Sequence, residues 1–306
     1  MAEIIHRPIE ITPHFYQLGT PDFPAYLSLG EQGMIIEGGT GPTSYIIPKQ
    51  IEALGIDPIR ITRIALTHSH ADHIGFVPYL KPVMNHWEIL ASKAAARILG
   101  REEMAEEFIL LDRNISEIMK AKGEIADFPP VLDTYSFAVD VIIKEGDKID
   151  LGEGIIWTVY DAPGHSPCHL AFYEEKEETM VIGDATGFYS PEKDVFWPNY
   201  FESLVHYCDT IRKLSALPAR RAALSHNGIV EGDISRHFDK ALEATEAYHN
   251  ELLKRLNDGE DPKQIALEKA HWVRTLTDIQ PLKVMNMLAK ILIRVSQSEN
   301  GKASFD

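Results

Sequence analysis

Ile61-Thr62-Arg63-Ile64-Ala65-Leu66 runs directly into Thr67-His68-Ser69-His70-Ala71-Asp72-His73. The first stretch is a β-branched, apolar run of strand length. The second carries three imidazoles and a carboxylate. In an extended strand residues i and i+2 project to one face, so His68 and His70 point the same way. Asp72 and His73 fall past the strand, where the chain turns, and can face a neighbouring point. A lone His-x-His would be weak ground. Four metal-type side chains crowded at one strand end are a far more specific signal than a solvated turn would give.

The same geometry recurs further along. His165 follows a strand ending near Asp161, within Ala162-Pro163-Gly164-His165. Asp184 follows a strand ending at Ile182, within Gly183-Asp184-Ala185. His226 follows a strand ending at Leu224, within Ser225-His226-Asn227-Gly228. Sites in α/β sheets gather at the carboxyl ends of strands. Five histidines and two aspartates at such ends therefore predict one shared site. Neutral imidazole suits borderline divalent ions, and carboxylates add negative charge. Seven ligands are too many for one tetrahedral ion and suit two. The expected sets are His68, His70 and His165 on one ion, and Asp72, His73 and His226 on the other. Asp184 is the shared bridge. The expected cofactors are two divalent metal ions; zinc, iron and manganese all accept such donors.

The rest of the chain alternates β and α up to Gly232. Phe15–Leu18, Ala25–Leu29 and Met34–Ile36 read as a meander of strands. Ser44–Leu54 reads as a helix stopped by Gly55. From Ile89 to Lys122 the period is helical, with Met104, Phe108, Leu111, Ile115 and Ile118 as its apolar stripe. Strands are expected over Val139–Ile143, Ile155–Tyr160, Thr179–Ile182 and Arg221–Leu224, with a helix over Glu202–Leu217. After Gly232 the pattern is helical throughout. Asp261-Pro262 forms a cap and first-turn pair, and a last helix covers Pro281–Val295. Residues 1–232 are thus read as one α/β domain and residues 233–306 as a helical cap over the cleft.

The chain has 306 residues, and its 30 basic against 46 acidic side chains give a net charge of −16. Such a chain is a poor match for phosphate backbones or anionic membranes, so neither nucleic acid nor membrane is an expected partner. With only Cys168 and Cys208, there is no disulfide framework. Residues 1–17 lack the basic start and apolar run of a secretory signal. A cytoplasmic protein is the expectation. Its oligomeric state is left open, a homodimer included.

The motifs together resemble the metallo-β-lactamase-fold hydrolase superfamily. They are Thr67-His68-Ser69-His70-Ala71-Asp72-His73-Ile74-Gly75, Gly164-His165-Ser166, Gly183-Asp184 and His226 before Gly228, in the superfamily's order. The resemblance implies an αββα sandwich with a dinuclear site at its edge. Within the superfamily the chain looks most like the quinolone-signal response thioesterase type. Shared features are Glu37-Gly38-Gly39, where most relatives have aspartate, then Pro78-Tyr79-Leu80, Leu90-Ala91-Ser92, His169 and the helical tail. Phe201 falls where that type has a pocket aromatic, and Tyr200 and Phe188 are expected beside it in the substrate pocket. Phe188 is also a departure, since that type carries an acidic residue there. His169 is expected to support the site rather than ligate.

The reaction these features imply is hydrolysis of a small, acyl-CoA-like thioester, by attack of a metal-bridging hydroxide on the acyl carbonyl. Asp72 and Asp184 are the expected catalytic residues, Asp184 holding the ions in register and Asp72 passing a proton. A lactonase or glyoxalase II-like hydrolase would use the same ligands. An oxygen-dependent sulfur enzyme with one iron would use fewer. A signalling protein with an incidental hydrolytic site is the alternative from outside enzymology.

Overall fold

The computed structural model describes residues 6–101, 105–298, 301–302 and 305. The strand before the histidine motif is Ile61–Ala65. In chain order β1 is Ile9–Thr12, β2 Phe15–Gly19, β3 Pro24–Leu29, β4 Gly33–Ile36, β5 Ile61–Ala65, β6 Glu88–Ala91 and β7 Val141–Ile142. These form one sheet in simple sequential order, antiparallel from β1 to β4 and parallel from β4 to β7. A second sheet is built from β8 (Lys148–Asp150), β9 (Ile156–Asp161), β10 (Leu170–Glu174), β11 (Thr179–Gly183), β14 (Arg221–Leu224) and β15 (Ile229–Glu231). Its order is β15-β14-β11-β10-β9-β8. A short hairpin, β12 (Phe188–Ser190) and β13 (Val195–Trp197), stands apart.

The period-two rule places the layers. Tyr26, Met34 and Ile36 of the first sheet meet Trp157, Val159, Leu170, Phe172 and Val181 of the second in one buried cluster. Their strand neighbours face outward. Ala25, Leu27 and Ile35 join α1 (Ile47–Ala53) and α3 (Lys93–Leu99) on the first sheet's other face. Ala171, Tyr173, Met180 and Ile182 join the helices on the second sheet's other face. The result is the expected αββα sandwich. Burial of each such large side chain contributes about 1.5–3 kcal/mol. Polar links cross the sandwich as well. Trp157 Nε1 donates to Ser28 Oγ at 2.8 Å. The Tyr26 hydroxyl lies 2.6 Å from the Leu224 carbonyl and 2.9 Å from that of Gly228.

The C-terminal region is helical: α6 Ile234–Asn257, α7 Pro262–Arg274 and α8 Leu282–Gln297. Asp233 and Asp261 cap the first two, accepting from Arg236 N and Lys263 N. Ile279, Met285 and Leu292 are buried in the same apolar cluster as the second sheet and β13. Among the described residues no helix is long and apolar enough to cross a membrane.

Several expected elements differ. The helix read over Ser44–Leu54 is a 3-10 turn, Gly41–Tyr45, followed by α1, with Pro48 in its first turn. The helical period read from Ile89 hides a strand, β6. Ile89 and Ala91 face one core and Leu90 the other, so the strand gives an unbroken apolar run instead of alternation. The central strand β10 is hidden for the same reason, being buried on both faces. The long helix is α4, Ala105–Ala121. Among its described side chains the buried ones are Asp112, Ile115, Ser116 and Met119, one step round from most of the stripe read in the sequence. Met104 lies outside the described residues.

Candidate metal centre

Four strand ends deliver the site. β5 leads through Leu66 and Thr67 to His68 and His70, and a 3-10 turn, Ala71–His73, carries Asp72 and His73. His165 sits in the loop between β9 and β10. That loop needs Gly164: its φ is 121°, and a Cβ there would stand 2.2 Å from the backbone nitrogen of Tyr207 on α5 (Leu204–Ser215). Asp184 follows β11 and His226 follows β14. The first sheet thus supplies four of the expected ligands and the second supplies three.

All seven expected ligands converge. His68 Nε2 and His165 Nε2 each lie 3.0 Å from His70 Nδ1. Asp184 Oδ2 is 3.2 Å from His73 Nε2, 3.3 Å from His165 Nε2 and 3.7 Å from His68 Nε2. Its Oδ1 is 3.9 Å from His226 Nε2. Asp72 lies 3.5 Å from His73 Nε2 and 3.9 Å from His226 Nε2. Three clusters of donor atoms each fall within 4.8 Å: His68, His70 and His165; His68, His73 and Asp184; Asp72, His73 and His226. The outer two are the sets expected for two ions, and Asp184 reaches both.

Four of the imidazoles, those of His68, His73, His165 and His226, are held by their outward nitrogens. His73 Nδ1 faces Glu37 Oε2 at 3.1 Å, His165 Nδ1 the Asn199 carbonyl at 3.0 Å, and His226 Nδ1 the Asp22 carbonyl at 2.7 Å. Since a carbonyl only accepts, His165 and His226 carry their proton on Nδ1 and aim an Nε2 lone pair inward. Burial presses the pKa of His68, His70 and His165 down, favouring neutral rings. Burial acts the same way on His73, but Asp72, Glu37 and Asp184 outweigh it and hold that pKa well above the ordinary value. Burial would raise the Asp184 pKa, but His165, His73 and His226 outweigh it, so the carboxylate stays ionised. His68 and His165 both turn Nε2 toward His70 Nδ1 at 3.0 Å, an arrangement in which one cation could take a lone pair from each ring. The donor set of imidazoles and carboxylates fits divalent transition metals.

The family model for the metallo-beta-lactamase superfamily matches residues 25–226, a span holding every one of these donors. The chain belongs to the metallo-beta-lactamase superfamily. Similar proteins include the probable metallo-hydrolase YqjP of Bacillus subtilis (strain 168), 25% identical over 243 residues, 74% of each chain. Another is a hydroxyacylglutathione hydrolase of Polaromonas sp., 24% identical over 240 residues, 73% of this chain and 75% of its own. Among solved structures, a metallo-beta-lactamase family protein from Thermus thermophilus superposes with a TM-score of 0.64. That match covers 94% of this chain and 93% of the other at 19% identity, and it speaks for the fold alone.

Within this metallo-beta-lactamase fold the site has supports that sequence reasoning did not assign. Glu37 is 1% exposed and sits at φ 77°, in the left-handed region unusual for a non-glycine residue. Its Oε1 accepts from Thr67 Oγ1 at 2.7 Å and Ser225 Oγ at 2.8 Å. Thr67 spends its hydroxyl proton there, so its oxygen accepts from His68 Nδ1 at 3.0 Å. One carboxylate therefore orients His73 directly, His68 through Thr67, and the strand end before His226 through Ser225. Glu37-Gly38-Gly39 is visible as a motif, but a partner 188 positions away is not. His169, expected in support, accepts from the backbone N of Asp184 at 3.1 Å. Cys168 is buried between Ser69 Oγ and Ser166 Oγ, each 3.4 Å away, and joins no cluster of metal donors among the described residues.

Aromatic rings wall the centre. Phe201 stands 5.3 Å from the His165 ring, and Phe188 stands 5.8 Å from His226. Phe23, which the sequence did not single out, packs edge-on to His226 at 5.9 Å. Tyr200 is turned elsewhere. It is fully buried, with its hydroxyl 3.0 Å from Ser296 Oγ of α8 and its ring against Tyr207 and His249.

Beside the centre, α4 packs on the 3-10 turns at 41–45 and 71–73. Asp112 fastens it, accepting from Gly41 N at 2.7 Å and from the Tyr79 hydroxyl at 3.3 Å. A Cβ at residue 41 would meet the Asp112 carboxylate at 2.2 Å, so a side chain there would push the carboxylate off the Gly41 nitrogen. Burial pushes the Asp112 carboxyl up to about 6. A carboxyl raised on folding binds protons more tightly in the native state, so its contribution to stability falls as pH rises from about 4 to 6. Asp112→Asn keeps an acceptor for Gly41 without the charge. Its chemical unfolding at pH 8 is expected to require about 1–3 kcal/mol more than that of the parent, with the gap closing by about pH 4. An equal difference at both pH values would refute this.

Proposed function

We propose that this chain is a dinuclear metal-dependent hydrolase of small thioesters. The observation that carries the reading is the Asp184 carboxylate, whose two oxygens reach the His73–His165 side and the His226 side of one donor cluster. Two divalent ions held by these residues would acidify a bound water enough to supply hydroxide near neutral pH and would act as a Lewis acid for an acyl carbonyl oxygen. The protein's own part is positional and electrostatic. Glu37, Thr67, Asn199 and the Asp22 carbonyl fix the imidazoles before substrate arrives, so little reorganisation is left for the reaction. Asp72 is the more open carboxylate, with its side chain 15% exposed against 5% for Asp184. Asp72 is suited to carry a proton on an oxygen toward the leaving group. Phe23, Phe188 and Phe201 limit water and favour an apolar acyl group.

The resemblance to the quinolone-signal response thioesterase type supports a thioester substrate. A glyoxalase II-like activity is the second reading, favoured by the similarity to a hydroxyacylglutathione hydrolase. The two are separated by assaying metal-loaded protein against acyl-CoA esters, acyl-glutathiones and lactones. We expect kcat/KM for the best acyl-CoA ester to exceed that for the best acyl-glutathione, and for the best lactone, by at least about tenfold, a difference of about 1.4 kcal/mol; an acyl-glutathione preference would favour the second reading. A lactone preference would reject the thioester reading and leave the metal centre standing.

A further inference from the structure

Of the ligand histidines whose outer nitrogen has a partner, His226 is held differently. His73 leans on a buried carboxylate, His68 on a buried threonine, and His165 on the carbonyl of buried Asn199. His226 leans on the carbonyl of Asp22, in the short loop between β2 and β3. That loop is tied to the His226 loop again by Asn227 N, which donates to the Pro21 carbonyl at 2.8 Å. Outward from this carbonyl the anchoring is ionic. Lys122, just past the end of α4, places Nζ 2.7 Å from Asp22 Oδ2 and 2.6 Å from Asp278 Oδ1. Asp278 belongs to the turn between α7 and α8. One ammonium therefore ties together three segments distant in sequence: the loop that holds His226, the end of α4 and the C-terminal helices. Glu124 and His6 lie nearby, 3.8 Å from each other, and Glu124 adds negative charge to the group.

We propose that Lys122 is a positioning residue, an ionic clasp that sets the orientation of His226 and with it the affinity of the Asp72–His73–His226 cation site. The inference rests on the metal reading above and adds to it an asymmetry between the two sites. In the His68–His70–His165 set, His68 and His165 are braced by buried groups, which salt does not reach. In the other set His73 too is braced by buried Glu37, and it is His226 that is braced through a lysine side chain 29% exposed and an aspartate 53% exposed, which salt screens. Exposed ion pairs contribute little to global stability, so the clasp is expected to act on ligand geometry and not on folding.

The test uses the full chain, stripped with a chelator and titrated with zinc by competition calorimetry. His226→Ala identifies which binding step belongs to the His226 set. In Lys122→Met that step is expected to weaken about tenfold, the lower end of the cost of losing an orienting partner, while the other step stays within about twofold. Asp278→Asn should weaken the same step less, and Lys122→Arg should restore it. Raising salt should weaken that step in the parent and leave Lys122→Met nearly unchanged. The clasp is overturned if Lys122→Met leaves both steps as they were or weakens both equally. A parent chain that binds no zinc overturns the cation reading and the clasp together. Two normal steps in the parent with an indifferent Lys122→Met overturn the clasp alone. Thermal unfolding of the stripped proteins serves as the folding control, and the proposal requires the variant to match its parent there.

Discussion

Asp184→Ala is expected to lose hydrolysis by at least about a thousandfold, some 4 kcal/mol of transition-state stabilisation, and to retain fewer metal ions per chain. The reason is geometric. Asp184 is the one described side chain whose oxygens approach histidines of both donor sets. Without it the two sets lose their common anion, and the positive charge of two ions bound there would lose its nearest compensation. Asp184→Asn separates charge from shape, because an amide keeps one acceptor oxygen and loses the charge. It should bind metal between the alanine variant and the parent and still turn over at no more than about a hundredth of the parental rate. Metal content by elemental analysis and single-turnover rates on the best thioester decide the matter. An alanine variant that hydrolyses at the parental rate would remove the carboxylate from the mechanism.

The second large effect is expected at a residue that touches no substrate. Glu37→Gln keeps the size of a side chain that accepts from Thr67 and Ser225 and faces His73 Nδ1. An amide has one acceptor oxygen. If that oxygen serves the two hydroxyls, the NH2 group faces His73 and opposes an Nδ1 proton. The ring must then move its proton to Nε2, the nitrogen that faces Asp184 and Asp72. We expect metal affinity to fall about 10- to 100-fold with a stability loss of about 1–3 kcal/mol. Glu37→Leu leaves three buried donors unpartnered and should cost about 3–5 kcal/mol in urea unfolding. Parental metal retention in Glu37→Gln would show that the carboxylate is only a structural acceptor.

The site was more legible in the sequence than the fold around it. His68, His70, Asp72, His73, His165, Asp184 and His226 follow strand ends, and a strand end is a local signal. Gly164 and Gly183 mark two of the same turns, being positions where a Cβ would collide with neighbouring groups. What stayed hidden was long-range. Glu37 and Ser225 are ordinary residues until folding places them 2.8 Å apart. Phe23 reads as loop, and its contact with His226 depends on a meander meeting a distant strand end. Tyr200 and Phe201 are adjacent and alike in sequence, yet only Phe201 faces an expected ligand. β6 and β10 leave no trace of alternation because both faces of each strand are buried.

The division of donors between the two sheets carries one more implication. Neither half of the chain holds a complete cage: the segment before Ala91 brings His68, His70, Asp72 and His73, and everything after Tyr160 brings the remainder. Ions captured there would act as rivets across the sandwich, binding the assembled protein and not its separate leaves, so that chelation strength feeds directly into resistance to denaturation. Cellular supply of transition metal would then govern how long the protein survives as well as how fast it works.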